Sequence, residues 1–600
     1  MPLTQGAEGS QTPEVLSLIS EFSGVPPFAG NLIPVREVRD LYRRVQQHHG
    51  GFRLERLLEE MRIRLRVDAE DAARIPTTGP VVVVANHPFG VLDGAILTVL
   101  LTRARPDVKL LTNFLLGDVP ELQPHCIFVD PFFSDQSIGR NRRALRASLE
   151  WLRLRGMLAM FPAGEVSFLQ FPLAQVSDPE WNDTAVRLIR KTGASALPVY
   201  FCGHNSFSFQ LLGMIHPRLR TAFLLHEFLQ QEGKEIEIRV GSVVSGDAIT
   251  AIPADADATD NLRCRTYLLG QRGRTDTSWP ASVRSKLQFK APEPVAAAVP
   301  PEVLAEELQN LPAERCLAEM GDLSVHFLRA GECPQLLLEL ARQREITFRA
   351  AGEGTGRARD LDSFDDYYWH LLLWNKQSHQ LVGAYRAGST VEILAQKGIK
   401  GLYTSTLFRY DARLFKEIGP AMELGRSFVK PEYQRQYAPL LLLWKAIARM
   451  VALQPESPVL IGAVSISNEY SSASRDMIYR FFEKRMANDE LAGMVEPRRP
   501  FRPNRLRRWD CRAMLHALDD VEQLAQPIID AEADGKGLPV LLRQYAKMGG
   551  KLLGFNVDPN FSDVLDGLVV VDLRKTDPAL LERYMGREGS IRFRRYHGLD

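Results

Sequence analysis

The sequence predicts two α/β domains joined by a linker. In both halves of the chain, short runs of apolar and β-branched residues alternate with helical patterns, as they do in α/β sheets. Between the halves, the stretch APEPVAAAVPPEV is rich in Pro and Ala and poor in core-forming residues, which is typical of an extended linker. We therefore predict an N-terminal helical region at 1–74, a first domain at 75–275, a linker at 276–305 and a second domain at 306–600.

The elements of the first half follow from local periodicity. Residues 81–85 read VVVVA, a β-branched run that suits a strand buried on both faces. Further strands are predicted at 109–116, 127–130, 157–161 and 196–201, and helices at 94–102, 140–155 and 181–191. In the second half we predict a hairpin of strands 368–374 and 380–386, strands at 421–429, 458–465, 552–555 and 568–572, and helices at 440–453 and 538–548.

Composition and charge limit what this chain does. It has 74 Lys and Arg against 73 Asp and Glu, a net charge of +1, which argues against coating nucleic acid through bulk charge. Its six cysteines form no C-x-x-C pair, so we expect no disulfide framework, no metal site and a reducing compartment. We see no signal peptide and no apolar run long enough to span a bilayer, so we expect a chain that lies on a membrane without crossing it.

The sharpest motif, N-H-P-F-G-V-L-D-G, runs from Asn86 to Gly94 directly after the strand 81–85. Strand ends that enter such turns are usual positions for chemistry in α/β folds. Asp93 is close enough in sequence to bond one ring nitrogen of His87, which leaves the other nitrogen to remove a proton from a hydroxyl. The alternative is a structural histidine in a turn. We interpret His87 as a general base and Asp93 as its orienting partner.

These residues resemble the His/Asp box of the glycerophospholipid acyltransferase superfamily, which transfers a fatty acyl group from a thioester to a hydroxyl. The family's box has four residues between His and Asp, whereas this chain has five, Pro88 to Leu92. The segment FPAGEVS, Phe161 to Ser167, resembles the family's F-P-E-G-T-x-S loop, which helps to bind the acceptor. The resemblance covers about residues 75–250 and implies the α/β fold of the glycerol-phosphate acyltransferases.

The same resemblance implies binding roles for further residues. Those expected to line the acceptor site are Asn86, Phe161, Pro162, Gly164, Glu165 and Ser167. Arg140 is added because the arginine-bearing box of the family falls near 126–130, and arginines follow at 140 and 142. Ala163 stands at the family's usual Glu position and Glu165 appears two residues later. This shift implies an acceptor that carries an amine and no phosphate, with Glu165 facing the ammonium.

The second half carries a different set of charged residues. An acidic segment contains Asp360, Asp362 and Asp365, the strand end G-A-Y-R contains Arg386, and the strand E-L-G-R-S-F-V contains Glu423 and Arg426. These segments resemble the GNAT-like N-acyltransferases that make lyso-ornithine lipid, and the acyl-homoserine lactone synthases. The resemblance implies a GNAT-like α/β domain in which Asp362, Asp365, Arg386 and Arg426 bind substrate. Glu423 or an Asp of the acidic segment is expected to accept the proton of the acceptor amine.

The expected acyl donor is an acyl carrier protein thioester. Coenzyme A-dependent members of the family have a glycine-rich pyrophosphate loop, whereas Gln436-Tyr-Ala-Pro-Leu follows Arg435 here. Acyl-coenzyme A remains the other candidate donor, and no further cofactor is expected.

The order of the two domains resembles the bifunctional ornithine-lipid acyltransferases of bacteria. This resemblance implies that the second domain acylates the α-amine of ornithine with a 3-hydroxyacyl group, and that the first domain acylates the new hydroxyl of the lyso-ornithine lipid. The alternatives are a lysophospholipid acyltransferase with a degenerate second domain, an acyltransferase for another amino acid such as glycine or serine, and a non-enzymatic haemolysin-like membrane protein.

The arginine-rich segment 140–155 suits contact with an anionic lipid surface or with acyl carrier protein, and the arginine-rich segment 498–508 suits an anionic membrane surface or an RNA. The alternative for each is a solvated basic surface. We therefore expect a cytoplasmic protein, peripheral on the inner membrane of a bacterium, with no nucleic acid partner.

Overall fold

A computed structural model gives the fold of the chain. It describes residues 34–47, 53–114, 119–130, 135–170, 175–215, 217–273, 293–486, 489–503, 511, 514–515, 518 and 520–599. The chain divides into two compact units: residues 1–273, 505–519 and 526–535 form the first, and residues 274–504, 520–525 and 536–600 form the second. Two stretches from the C-terminal half, 505–519 and 526–535, thus group with the first unit. Most of the predicted linker, 276–292, lies outside the described residues.

The first unit contains a seven-stranded sheet and a small hairpin. Its strands are β1 Arg64–Arg66, β2 Val81–Ala85, β3 Val108–Asn113, β4 Cys126–Val129, β5 Met157–Met160, β6 Phe168–Gln170, β7 Gln175–Ser177, β8 Ser195–Phe201 and β9 Glu235–Val240. The sheet order is β1-β9-β8-β2-β5-β3-β4, with β6 and β7 forming the hairpin. All neighbours in the sheet are parallel except β8 and β9.

Helices cover this sheet. They are α1 Val35–Gln47, α2 Leu54–Glu60, α3 Ala69–Ala73, α4 Val91–Ala104, α5 Asp135–Arg153, α6 Thr184–Thr192, α7 Phe207–Ile215, α8 Pro217–Leu229, α9 Gly246–Thr250 and α10 Asp255–Leu269. All five residues of β2 are buried, as its unbroken β-branched sequence predicts for a central parallel strand. The predicted helical region at 1–74 also contains a strand, because β1 adds to the sheet edge beside β9.

One expectation about the cysteines is wrong. Cys264 on α10 forms a disulfide with Cys511, 247 residues away, and both are buried in the first unit. The other described cysteines, at 126, 202, 316 and 333, are free. The sequence did not predict this disulfide because its two cysteines share no local spacing pattern.

The second unit is built on an eight-stranded sheet with a two-stranded ladder beside it. The strands are β10 Cys316–Met320, β11 Leu323–Arg329, β12 Trp369–Asn375, β13 Gln380–Ser389, β14 Phe408–Tyr410, β15 Ala421–Val429, β16 Val459–Ile466, β17 Val495–Pro497, β18 Lys551–Asp558 and β19 Val564–Asp572. The sheet order is β10-β11-β12-β13-β15-β16-β19-β18, and β14 pairs with β17. The predicted hairpin at 368–386 is confirmed as β12 and β13.

The helices of the second unit are α11 Pro301–Gln309, α12 Pro334–Ala350, α13 Thr390–Lys397, α14 Arg413–Ile418, α15 Tyr437–Leu453, α16 Ser472–Met486, α18 Val540–Lys547, α19 Pro578–Met585 and α20 Arg587–His597. Helix α17, Val521–Ala531, contributes residues to both units. Within the described ranges, no helix combines the length and apolarity needed to cross a bilayer.

In the second sheet as described, β15 and β16 are the one pair of neighbouring strands that run parallel. Their hydrogen bonding stops before either strand ends. Their pairing runs from Ala421–Val459 to Leu424–Gly462. Beyond it, residues 425–429 of β15 pair only with β13, and residues 463–466 of β16 pair only with β19. A bulge in β15 lies at the parting point, where Arg426 has φ +49°. Because bulges bend a strand, this one turns β15 away from β16 and opens a gap in the sheet.

Candidate active sites

The first candidate site lies at the carboxyl end of β2, where His87 and Asp93 meet. The Nδ1–H of His87 donates to Asp93 Oδ2 at 2.9 Å, as predicted. Asp93 is wholly buried in the first turn of α4, and its Oδ2 also accepts the backbone N–H groups of Phe89 and Gly90 at 2.8 and 3.0 Å. Burial raises the pKa of Asp93, while the hydrogen bonds from His87 and the backbone oppose that rise. This arrangement directs Nε2 of His87 away from the carboxylate as a proton acceptor.

The turn between the two residues explains how a spacing of five still closes the pair. Gly90 has φ +82°, a conformation that disfavours other residues. Its N–H donates to Asp93 and it serves as the N-cap residue of α4. The positive φ of Gly90 therefore belongs to the turn that brings His87 and Asp93 together across five intervening residues.

The loop Phe161–Ser167 follows β5, the strand next to β2, and it packs onto His87. The Phe161 ring stacks on the His87 ring with centroids 4.1 Å apart and planes 19° apart. The Ser167 N–H donates to the His87 carbonyl at 2.8 Å. The two predicted motifs therefore form one site.

Asp178 holds these two loops together, and the sequence analysis missed it. Its buried carboxylate accepts the His87 backbone N–H at 3.1 Å, the Ser167 hydroxyl at 2.5 Å and the Trp181 indole N–H at 2.9 Å. Burial raises the pKa of Asp178. Asp178 lies 91 residues after His87, in the segment V-S-D-P-E-W, which by itself indicates only a turn. Ser167 was predicted to bind substrate, but its hydroxyl donates its hydrogen bond to this carboxylate.

Three other predicted residues shape the site through the backbone. The Asn86 amide is committed to Phe201, donating to its carbonyl at 3.0 Å and accepting its N–H at 2.7 Å. The Pro162 carbonyl accepts the backbone N–H of Asn182 at 3.0 Å. Gly164 has φ +69° and faces open space, which places it at the mouth of the loop.

Glu165 and Arg140 lie at the rim of the first unit. The Glu165 side chain is 60% exposed, and its Oε2 accepts a hydrogen bond from Arg220 at 2.8 Å. Arg220 lies over the Phe168 ring at 4.0 Å, and burial lowers its pKa. Arg140 on α5 forms an ion pair with Asp130 at 3.3 Å. Of the two, only Glu165 belongs to the loop that packs on His87.

The second unit brings together all four predicted substrate-binding residues. Asp362 and Asp365 both bind Arg386, at 2.6 and 3.1 Å, and Arg426 contacts Asp362 at 3.3 Å. Arg344, which the sequence analysis missed, binds Asp365 at 2.8 Å. Although burial alone would raise it, the Arg344 and Arg386 guanidiniums hold the pKa of Asp365 far below its usual range. With Asp360, the network balances three arginines against three aspartates, so it forms a neutral, buried wall.

Glu423 is buried beside this wall, but its oxygens are occupied. Oε1 accepts the N–H and hydroxyl of Thr404 at 2.8 and 2.5 Å, and Oε2 accepts the Tyr403 N–H at 3.1 Å and the Tyr368 hydroxyl. Four donors use the four lone pairs of a carboxylate. The geometry therefore supports a role for Glu423 in fixing the loop around Tyr403 and Thr404, and it does not support the predicted role as proton acceptor.

Comparison with known families agrees with the two predicted folds. Residues 63–274 match the family described as Acyltransferase, and residues 343–445 match the Acetyltransferase (GNAT) domain. Two segments of the chain thus match acyltransferase families, and the two families are different.

Individual relatives point in the same direction. The chain is 30% identical over 220 residues to the glycine N(alpha)-acyltransferase of Phocaeicola vulgatus, covering 35% of this chain and 66% of that protein. It is 33% identical over 186 residues to that of Bacteroides thetaiotaomicron, covering 29% and 55%. It is 25% identical over 247 residues to the L-ornithine N(alpha)-acyltransferase of Brucella abortus, covering 39% and 79%. The chain thus spans between half and two thirds of the two glycine relatives.

A solved structure was also matched. The crystal structure of the 1-acyl-sn-glycerophosphate acyltransferase from Thermotoga maritima is 15% identical, with a TM-score of 0.24, and the match covers 41% of this chain and 83% of that one.

Proposed function

We propose that this chain is a bifunctional acyltransferase of amino-acid lipid synthesis. In this proposal the second unit acylates the α-amine of ornithine with a 3-hydroxyacyl group, and the first unit acylates the hydroxyl of the resulting lyso-lipid. The observation that carries it is the His87–Asp93 pair, built on a sheet of the Acyltransferase family, on the same chain as a GNAT domain. The names of the relatives, which are N-acyltransferases of single amino acids, support the first step.

In the O-acylation step, His87 Nε2 removes the proton of the 3-hydroxyl as the oxygen attacks the thioester carbonyl. A new C–O bond forms, the C–S bond breaks, and the imidazolium returns the proton to the leaving thiolate. Asp93 stabilises the imidazolium through Nδ1. The thioester is already activated, so no acyl-enzyme is required.

An acyl carrier protein thioester is the proposed donor for the second unit. Helix α15 follows β15 and begins at Tyr437, with Pro439 in its first turn. Proline has no N–H, and no glycine lies at this helix start to allow the close approach of a pyrophosphate. The chemistry of this segment therefore suits coenzyme A poorly.

Ornithine is the proposed acceptor, and glycine is the second candidate. Ornithine has two ammonium groups, which suits two acidic groups of the second unit, Glu353 and Asp558, that both act electrostatically on Asp566. Burial raises the pKa of Glu353 to about 7, and Arg426 acts electrostatically on Asp558. Glycine is favoured by its relatives, which at 30% and 33% are more similar to this chain than the ornithine relative at 25%.

Lipid mass spectrometry of a bacterium that lacks ornithine lipid, expressing this chain, tests the proposal. We expect diacylated ornithine lipid with the wild-type chain, and its mono-acylated amide with His87→Ala. His125→Ala is the matched control, because His125 lies in the turn 120–125, outside the dyad, and should leave both products unchanged.

Other lipid profiles would redirect the proposal. Diacylated glycine lipid would replace ornithine by glycine. Altered phospholipid acyl chains without any amino-acid lipid would favour a lysophospholipid acyltransferase. Loss of both acylations in a folded His87→Ala chain would contradict the assignment of one step to each unit.

A further inference from the structure

Asp566 on β19 is a buried carboxyl that has no role so far, and it draws attention because of the gap between β15 and β16. Within the second sheet, Asp566 pairs with Ser465 of β16, three residues beyond the last contact between β16 and β15. Cross-strand partners point to the same face of a sheet. Asp566 therefore shares a face with Ser465, and Ser465 lies on the strand that borders the gap.

Packing along this face changes from apolar to polar toward the gap. Val459 and Ile461 of β16 lie in a buried cluster with Leu568 and Val570 of β19. Four residues beyond Ile461 on the same face, Ser465 is exposed, although its cross-strand neighbour Asp566 is only 3% exposed. Asp566 thus interrupts an otherwise apolar row of β19, since Val564 and Leu568 on either side of it are buried.

Asp566 has little in its surroundings to neutralise it. The Ser465 hydroxyl donates to its Oδ1 at 2.7 Å. In the described part of the chain, no Arg, Lys or His forms an ion pair with its carboxylate. The charged groups that act on it are Asp558 on β18, Glu353 after α12, and Arg426 on β15, and Asp566 in turn contributes to the raised pKa of Tyr403. Two of the three charged groups are acidic, so the site as a whole favours a cationic ligand.

The opposite side of the gap supplies a cation and two rings. Arg426 projects from the bulge of β15, over the Tyr403 ring at 5.1 Å and the Phe561 ring at 4.2 Å. Its Nε is buried without a hydrogen-bond partner. An amino acid carries a carboxylate and an ammonium a few atoms apart. Asp566 provides the charge complementary to the ammonium, whereas the Arg426 guanidinium is already paired with Asp360 and Asp362, at 3.4 and 3.3 Å.

We propose that Asp566 is the proton acceptor of N-acylation, with the amino acid bound in the gap between β15 and β16. This inference rests on the proposed function of the second unit. Asp566 takes one proton from the α-ammonium, and the neutral amine attacks the thioester carbonyl. The C–N bond forms, the C–S bond breaks, and the second amine proton passes to the leaving thiolate. Asp566 then releases its proton to solvent.

The electrostatics of the site suit this task. Burial raises the pKa of Asp566 to about 7, near the pH at which a general base works best. Asp558 and Glu353 add to the rise, while Ser465 and Arg426 oppose it. The wild-type kcat for N-acylation should therefore increase with pH through about 7 as Asp566 ionises.

The test uses the purified full chain, a 3-hydroxyacyl thioester of acyl carrier protein, and ornithine or glycine. We expect Asp566→Asn to lower kcat for N-acylation at least about 100-fold, with KM little changed, because general base catalysis contributes on that order. Its residual rate should rise only at higher pH, where the substrate ammonium loses its proton to solvent without help from a base. O-acylation of supplied lyso-lipid should stay at the wild-type rate.

Two further variants make the result specific. Asp572→Asn changes the same residue type at the other end of β19, where Asp572 binds Arg574 at 2.8 Å, and it should leave kcat within about twofold. Ser465→Ala removes the donor that lowers the pKa of Asp566, so the pH profile should move to higher pH. This shift can be measured even where Asp566→Asn fails to fold.

Two results would overturn the inference. Wild-type kcat in Asp566→Asn, or an unshifted pH profile in Ser465→Ala, would remove Asp566 as the base while leaving the proposed function intact. A wild-type chain that N-acylates neither amino acid would remove the proposed function, and this inference with it.

Discussion

The contacts of Asp178 lead to a quantitative prediction about the first site. Its carboxylate accepts three donors, with His87 N–H and Ser167 Oγ–H on Oδ1 and Trp181 Nε1–H on Oδ2. Asp178→Asn keeps the shape of the side chain but replaces one acceptor oxygen by an N–H₂ donor. In one amide orientation this donor meets the Trp181 N–H, and in the other it meets the His87 N–H. Either orientation leaves a buried donor without an acceptor.

A buried donor left unsatisfied costs about 1–3 kcal/mol. At roughly 2 kcal/mol, the equilibrium for local opening increases about 30-fold. The loop that carries Ser167 and the turn that carries His87 are joined through Asp178, so they should open together. We expect O-acylation to fall by about 10- to 100-fold as His87 is displaced, and N-acylation to remain unchanged.

Hydrogen exchange of the His87 and Ser167 amides, followed by mass spectrometry, measures the opening, and single-turnover O-acylation measures the chemistry. Asp183→Asn is the matched control, since Asp183 lies nearby at the surface and pairs with Arg187. If Asp178→Asn exchanges these amides and acylates lyso-lipid at wild-type rates, Asp178 does not couple the two loops.

Two further predictions concern the charged residues. Glu165→Gln removes the negative charge that faces Arg220 and, in our proposal, the acceptor ammonium. We expect KM for the lyso-lipid to rise roughly tenfold, which corresponds to a loss of about 1.5 kcal/mol of binding free energy. An unchanged KM would exclude ammonium recognition by Glu165. Arg386→Ala breaks a buried ion pair, which should lower stability by about 3–5 kcal/mol and speed amide hydrogen exchange in β12 and β13. Arg413→Ala breaks an exposed ion pair and should leave this exchange unchanged. Because the pKa of Asp365 is lowered in the fold, its stabilising contribution is present above the unfolded value of about 3.9 and is lost as pH falls, and Arg386→Ala should weaken this acid sensitivity.

The sequence predicts the parts of each site that are local. His87 and Asp93 are six residues apart, so one turn is enough to join them, and Gly90 signals that turn. The strands that position them are equally visible, because β2 and β5 are short apolar runs between helical patterns. The alternating pattern of β9, which reads EIEIRV, was also readable but was missed.

Contacts between distant segments explain what the sequence did not predict. Asp178 and Arg344 each complete a site through partners that no local pattern connects to them. Glu423 was identified from its motif, but its role depends on Tyr403 and Thr404, whose N–H groups approach only after the chain has folded. A motif thus locates a carboxylate, and the donors around it decide whether it is free to react.

Asp566 is the opposite case to Glu423, because it lies in an otherwise apolar strand and no motif marks it as reactive. The strand V-L-D-G-L-V-V-V has one charge among buried residues, and an unpaired buried charge is costly. Burial favours the neutral form and raises the pKa of Asp566 to about 7, and the sheet opens beside this residue. Glu423 accepts hydrogen bonds from four donors, whereas Asp566 accepts one, from the hydroxyl of Ser465 on the strand that borders the gap. Of the two carboxylates, Asp566 is therefore the one with lone pairs left for the proton of an amine.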